Sequence, residues 1–179
     1  GVFSSAVVDA DGTVYIGSGD RDFYAVDRDG NLKWKFHSGE IIDSSALLDD
    51  QGRVIFGSGD GHVYALDRST GGLLWKFAAD APGVNSAFIN WFEGNIAIGV
   101  DGTLYAPNDN FCTYALRRET GARLWCALAR DQTWSLPALD PTNGRLFIGN
   151  NFAFLHNTFA LDAGSGEKIW KATADGSVA

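Results

Sequence analysis

Methionine is absent from all 179 residues, the first position included. The expectation is a processed chain that has lost a leader, or a part of something longer. Proline occurs only four times, which argues against polyproline architecture. Positive charge is scarce, with 14 Lys and Arg against 22 Asp and Glu and a net charge of −8. Such a surface repels phosphate backbones and anionic lipid alike, so nucleic acid is not an expected partner. No apolar run approaches the ~18 residues that cross a bilayer, and GVFSSAVVDADG has neither the basic start nor the apolar core of a signal segment. No direct membrane span is expected. With 45% hydrophobic and 20% charged residues the chain is neither disordered nor collagen-like, and its length suits one or two ordinary domains.

Glycine is plentiful, at 22 residues, and points to tight turns between short strands. Trp34, Trp75, Trp125 and Trp170 fall 41, 50 and 45 residues apart, the interval of a propeller blade. Each closes one phrase: YAVDRDGNLKW from Tyr24, YALDRSTGGLLW from Tyr64, YALRRETGARLW from Tyr114 and FALDAGSGEKIW from Phe159. Upstream of each stands a second shared unit: GTVYIGSGD, GRVIFGSGD, GTLYAPNDN and GRLFIGNNF, from Gly12, Gly52, Gly102 and Gly144. A small-residue opening recurs ahead of these as SSAVVD, SSALLD, NSAFIN and LPALD. In the first repeat, alternation and turn residues predict strands over 6–9, 14–17, 23–27 and 32–36. A four-stranded meander has two apolar faces and must stack on copies of itself.

The predicted fold is therefore all-β: a β-propeller of four-stranded antiparallel blades, with four blades in residues 1–179 as one segment. The repeats run approximately over 1–39, 40–80, 81–130 and 131–175. About ten extra residues are expected in the third, around WFEGNIAIGV from Trp91, and about three in the fourth, around FAFLHN near His156. NIAIGVDGTLYA itself alternates like two strands around Asp101-Gly102, and Trp91 is expected to be a local hydrophobic plug.

The phrase has a physical logic. Ala25, Ala65, Ala115 and Ala160 leave room for a neighbouring blade, a Thr-Gly or Ser-Gly pair makes the turn, and the tryptophan lies flat between two sheets. The pattern A-x-D-x-x-[TS]-G-x-x-x-W resembles the tryptophan-docking motif of the quinoprotein, or pyrroloquinoline quinone (PQQ)-like, β-propeller repeats. Residues 65–75 and 160–170 match it in full, residues 25–34 are one residue short, and Arg117 replaces the aspartate in the third copy. The resemblance implies a ring of eight blades, of which this segment is half, closed by the remaining blades of a longer chain or by a second copy. It implies three kinds of activity: an envelope assembly scaffold like the BamB lipoproteins, a PQQ-dependent alcohol or sugar dehydrogenase, or the extracellular sensor domain of a receptor kinase.

In such blades the connections between second and third strands share a face with those between successive blades. Residues 18–22, 58–62, 107–110 and 150–157, with the links 37–42, 80–84 and 129–134, gather on it. They bring Asp20, Arg21, Asp22, His37, Asp60, His62, Asn108, Asp109, Asn110, Arg130, Asp131, Trp134, Asn150, Asn151 and His156 to one side as a candidate ligand-binding face. In the resembled family it bears the cofactor of the enzymes. The three histidines belong to different blades and lack ligand spacing, so no metal is expected.

The chain lacks the adjacent Cys-Cys pair of PQQ dehydrogenases. Cys112 and Cys126 flank the turn at 119–121 on neighbouring strands, where a cross-strand disulfide and two small buried thiols are both compatible with the sequence. DADG and DRDGN lack the downstream glutamate of a calcium loop, GSGD lacks the Gly-Lys of a phosphate loop, and no serine has a nucleophile context. No catalytic residue and no cofactor is expected; PQQ and Ca²⁺ enter only with the dehydrogenase reading. The first expectation is a non-catalytic module, periplasmic or extracellular, that binds a protein or small ligand through the loop face.

Overall fold

The computed structural model describes residues 1–82, 84, 89–129, 132–150 and 157–173. Among them there is no helix. Sixteen strands appear in order: β1 Val7–Val8, β2 Val14–Gly17, β3 Asp22–Val26, β4 Leu32–His37, β5 Leu47–Leu48, β6 Arg53–Gly57, β7 His62–Asp67, β8 Leu73–Ala78, β9 Ala97–Ile98, β10 Thr103–Pro107, β11 Cys112–Arg117, β12 Arg123–Leu128, β13 Ala138–Asp140, β14 Arg145–Gly149, β15 Asn157–Asp162 and β16 Lys168–Thr173. They form four sheets, each a meander of four consecutive antiparallel strands. In every sheet the motif alanine faces the motif tryptophan across the third and fourth strands, as Ala25–Trp34, Ala65–Trp75, Ala115–Trp125 and Ala160–Trp170. The register shifts by one residue immediately after each alanine, a bulge that strengthens the local twist.

The sheets stack on one another. One core joins Tyr15, Phe23 and Trp34 to Val54, Phe56 and Leu66; the next joins Ile55, Val63 and Trp75 to Leu104, Tyr114 and Leu116; the third joins Tyr105 and Ala115 to Leu146, Ile148 and Phe159. Successive residues of β6 therefore serve different cores, which is why the whole strand is buried, whereas β16 at one end of the stack is exposed throughout. The segments just ahead of the first strands are linked from sheet to sheet: the Ser5 N–H donates to Ser45 Oγ at 2.8 Å, and the Ser45 N–H to Asn95 Oδ1 at 2.7 Å.

Each indole reaches across a seam. Trp34, Trp75 and Trp125 donate their ring N–H to the carbonyls of Arg68, Arg118 and Ala163, at 3.1, 3.0 and 3.2 Å. Beneath the rings lie Gly71, Gly121 and Gly166, at φ of 73°, 69° and 75°. A Cβ on any of these would stand within 2.5–2.7 Å of the indole, so the turn glycine is required twice, by backbone conformation and by the ring above it. Trp34 and Trp75 retain only 9% exposure, while Trp170, with no sheet beyond it among the described residues, retains 40%.

The third sheet differs from expectation. Its first strand is β9, Ala97–Ile98, paired with Tyr105 and Leu104, and not the NSAFIN segment, of which residues 85–88 lie outside the described residues. The alternating NIAIG stretch ahead of the Asp101-Gly102 turn supplies the pairing edge, so the extra residues precede Trp91. Trp91 and Phe92 belong to the ordinary connection: the Phe92 N–H donates to Ser58 O just as the Ile42 N–H donates to Ser18 O, both at 3.2 Å. The extra residues of the fourth repeat, 151–156, lie outside the described residues. Cys112 and Cys126 share one face of the β11–β12 hairpin, offset by one diagonal step, with Cα atoms 5.7 Å apart and their sulfurs joined.

Trp75→Ala is expected to lower stability by roughly 3–5 kcal/mol, and Trp170→Ala by less than half of that. Urea unfolding of the two variants beside the parent chain checks the difference.

Candidate ligand-binding face

The β2–β3, β6–β7 and β10–β11 turns share one backbone plan. The residues Arg21, Gly61 and Phe111 occupy the left-handed region at φ of 75°, 80° and 72°, and their carbonyls each accept an N–H from the connection that follows, Ser38, Ala79 or Ala129. Glycine suits this position; Arg21 and Phe111 hold it at some conformational cost. Just before it stand Asp20, Asp60 and Asn110, each bonded to a tyrosine hydroxyl four residues on: Tyr24 at 2.7 Å, Tyr64 at 2.6 Å and Tyr114 at 2.6 Å. Asp60 also accepts the Gly39 N–H at 2.8 Å, and the Asn110 amide donates to Asp80 O at 3.1 Å, so both fasten the connection arriving from the preceding sheet.

The expected face residues divide into small groups. Asp22 joins Lys35 and His37, both at 2.7 Å, and the hydrogen bonds to these two side chains hold its carboxyl below the usual range. His62 leans on Asp60 at 3.2 Å and packs beside Tyr64. Burial pushes the Asp60 carboxyl up, but the Tyr64 hydroxyl, the Gly39 N–H and His62 outweigh it, leaving the group below its ordinary value. Arg21 pairs with Glu40 at 3.6 Å. Asn108 is buried, donating to Asn90 O at 2.7 Å, and Asn150 is buried, donating to Ala129 O at 3.1 Å. Arg130, Asp131, Asn151 and His156 lie outside the described residues. Among the described residues no three His, Cys, Asp or Glu side chains come together so as to hold a metal ion.

Asp109 and Trp134 meet. Asp109 occupies the turn position filled by Gly19 and Gly59 in the first two sheets: its N–H donates to Trp91 O as theirs donate to Gly1 O and Ile41 O. A carboxyl side chain thus stands where the first two sheets have glycines closely overlaid by the preceding connection. It is 1% exposed; Oδ1 accepts the Trp134 indole N–H at 2.8 Å, and Oδ2 has no hydrogen-bond partner. Burial and the nearby Glu93 push the Asp109 carboxyl up to about 8, against the pull of the Trp134 donor. Two residues unnoticed in the sequence complete the group. Glu93 is raised by burial and by Asp43; Asp43 is raised by burial, and its Oδ1 is unpartnered. Asp43, Glu93 and Trp134 stand at equivalent places, immediately before Ser44, Gly94 and Ser135 at the start of successive sheets. The small-residue start of NSAFIN masks this equivalence in the sequence.

Four stacked meanders joined by tryptophan phrases, with a loop face on one side, define a β-propeller of PQQ-like repeats. The chain belongs to the family described as "Outer membrane protein assembly factor BamB", whose model matches residues 1–179. Similar solved structures include BamB from Moraxella catarrhalis, 20% identical with a TM-score of 0.73, covering 93% of this chain and 47% of that one. The quinohemoprotein alcohol dehydrogenase ADHIIG from Pseudomonas putida HK5 is 22% identical at a TM-score of 0.79, covering 97% and 34%. That of Comamonas testosteroni is 18% identical at 0.77, covering 97% and 35%. The chain thus spans between a third and a half of the length of these structures, and at such identities the likeness shows the fold. No curated protein matches the chain.

Folded Asp109 keeps its proton up to about pH 8, whereas an unfolded aspartate releases it near 3.8. Between these values the folded chain binds the extra proton, so stability is expected to fall as pH rises, by on the order of 1 kcal/mol per pH unit at most. Asp109→Asn is expected to reduce this slope and to stabilise the chain at pH 7. Urea midpoints of both proteins at pH 5 and pH 8 check the sign.

Proposed function

We propose that this chain is a non-catalytic propeller segment that binds a protein partner through its loop face, in an assembly role of the BamB type, in the periplasm or outside the cell. The observation that carries the reading is how the face spends its polar groups. Asp20, Asp22, Asp60, Asn108 and Asn110 are committed to tyrosines, cations and backbone of this chain, which makes the face a shaped surface of turns. Standing out from it are His37 and the 41% exposed Trp134, side chains suited to a protein interface. The Cys112–Cys126 bond agrees with an oxidising compartment.

The ends of the stack support a half-ring. Asp20 makes the tyrosine bond of Asp60 yet stands exposed where a preceding connection would supply its second donor, and Trp170 lies open where a following glycine turn would cover it. Further repeats, in a longer chain or a second copy, fill both places in this reading.

The dehydrogenase reading is favoured by the two quinohemoprotein neighbours. The donor set does not fit a calcium-bound quinone: among the described residues no three carboxylate, histidine or cysteine groups are placed so as to hold a metal ion, and the cysteines link two strands of one sheet.

Photo-crosslinking residues placed at His37 or Trp134 of the parent protein, with Asp29 on the opposite side as control, test the proposal. Discrete protein adducts are expected from the first two positions and not from Asp29. Absence of adducts, together with a bound-quinone absorbance on adding PQQ and Ca²⁺, would transfer the reading to the enzymes.

A further inference from the structure

The face opposite the loop face carries a cavity that the repeat itself explains. The carbonyls that receive the indole N–H groups belong to Arg68, Arg118 and Ala163. In the first two seams the arginine side chain also crosses to the neighbouring sheet: Arg68 Nε stands 3.4 Å from Asp9, and Arg118 Nη1 stands 2.7 Å from Asp50. Both aspartates lie in the turn between the first and second strands of the preceding sheet, so a guanidinium on its alkyl stem closes each seam.

The third seam has no such side chain, because Ala163 ends at a methyl group. There a cavity of about 410 Å³ opens between the β9–β10 turn and the fourth sheet. Its apolar walls include Ile98, Val100, Tyr105 and Leu139, and it carries the carboxylates of Asp101 and Asp140. The Thr103 N–H lowers the Asp101 carboxyl, and the Asn143 amide lowers that of Asp140, so both are ionised at neutral pH. Arg145, opposite Asp140 in the β13–β14 register, balances part of this charge. Val100, at the rim, is 90% exposed.

We propose that this cavity receives an arginine side chain presented by another protein, its guanidinium toward Asp101 and Asp140 and its stem against Ile98, Leu139 and Tyr105. The molecule supplies the template for the stem twice, in its own Arg68 and Arg118; the aspartates that receive them, Asp9 and Asp50, correspond in register to Gly99 and Val100, and here Asp101 and Asp140 are the carboxylates of the cavity. A planar donor group on an apolar stem suits a pocket with apolar walls and one carboxylate from each of the two sheets. The site lies away from the loop face and does not depend on what that face binds.

Methyl NMR of the full chain, titrated with N-acetyl-arginine methylamide, reads the site. Saturable shifts of the Ile98 and Leu139 methyls are expected, and the citrulline analogue, isosteric and uncharged, is expected to bind at least about tenfold more weakly. Ala163→Arg is expected to abolish the response by seating the chain's own guanidinium, and Ala163→Met, a neutral plug, to abolish it as well. Equal shifts with the citrulline analogue, no saturation with the arginine compound, or a full response in folded Ala163→Met would each overturn the proposal. Binding of free agmatine about tenfold tighter than the blocked residue would overturn its assignment to a protein side chain.

Discussion

An indole seated on the glycine of the next sheet's turn, with its N–H on the carbonyl three residues before that glycine, is the contact on which this architecture depends. It recurs at Trp34, Trp75 and Trp125. A single meander cannot bury two faces, and a flat contact between sheets would leave the stacking free to slide. The hydrogen bond fixes position along the seam and the glycine fixes depth, so each sheet fits its successor in one way. Tyr15 and Tyr105 add hydroxyl bonds to the same carbonyls of Arg68 and Ala163, at 3.3 and 3.1 Å.

With the sheets held in this way, the variable residues fall on two sides. On the loop side the Ser-Gly-Asp turns of the first two sheets become Asn108-Asp109-Asn110 in the third, and aspartate in place of glycine sets a buried carboxyl group against the Trp134 indole N–H and near Glu93. On the opposite side the loss of one arginine, at Ala163, leaves a cavity where its counterparts close the seam. In both places a repeated frame makes a single departure visible, because the neighbouring copies show what the same position ordinarily does.

The strands and the stacking were legible because their signals are local. Val14–Gly17 and Leu32–His37 follow from alternation bounded by Asp-Gly and Gly-Asp turns, and the Ala–Trp cross-strand pairs follow from the phrase that contains both. The third opening was not legible: NSAFIN mimics the small-residue start of the other repeats, and only pairing with Leu104 and Tyr105 selects Ala97–Ile98. Much of the face was legible as turn chemistry, yet its internal commitments were not. Asp60 reaches a backbone N–H twenty-one residues away, and Asp109 lies buried where turn aspartates are normally solvated. Asp43 and Glu93 escape a linear reading altogether, since their common position emerges only when the sheets are superposed.

Hydrogen exchange at the indole nitrogens, followed by ¹⁵N NMR, addresses the central contact most directly. The account requires Trp34, Trp75 and Trp125 to exchange slowly, by opening of the seams, while Trp170 in the isolated chain exchanges at nearly the rate of a free indole. Rapid exchange at all four nitrogens would contradict it, because the sheets would then be held together by something other than these rings.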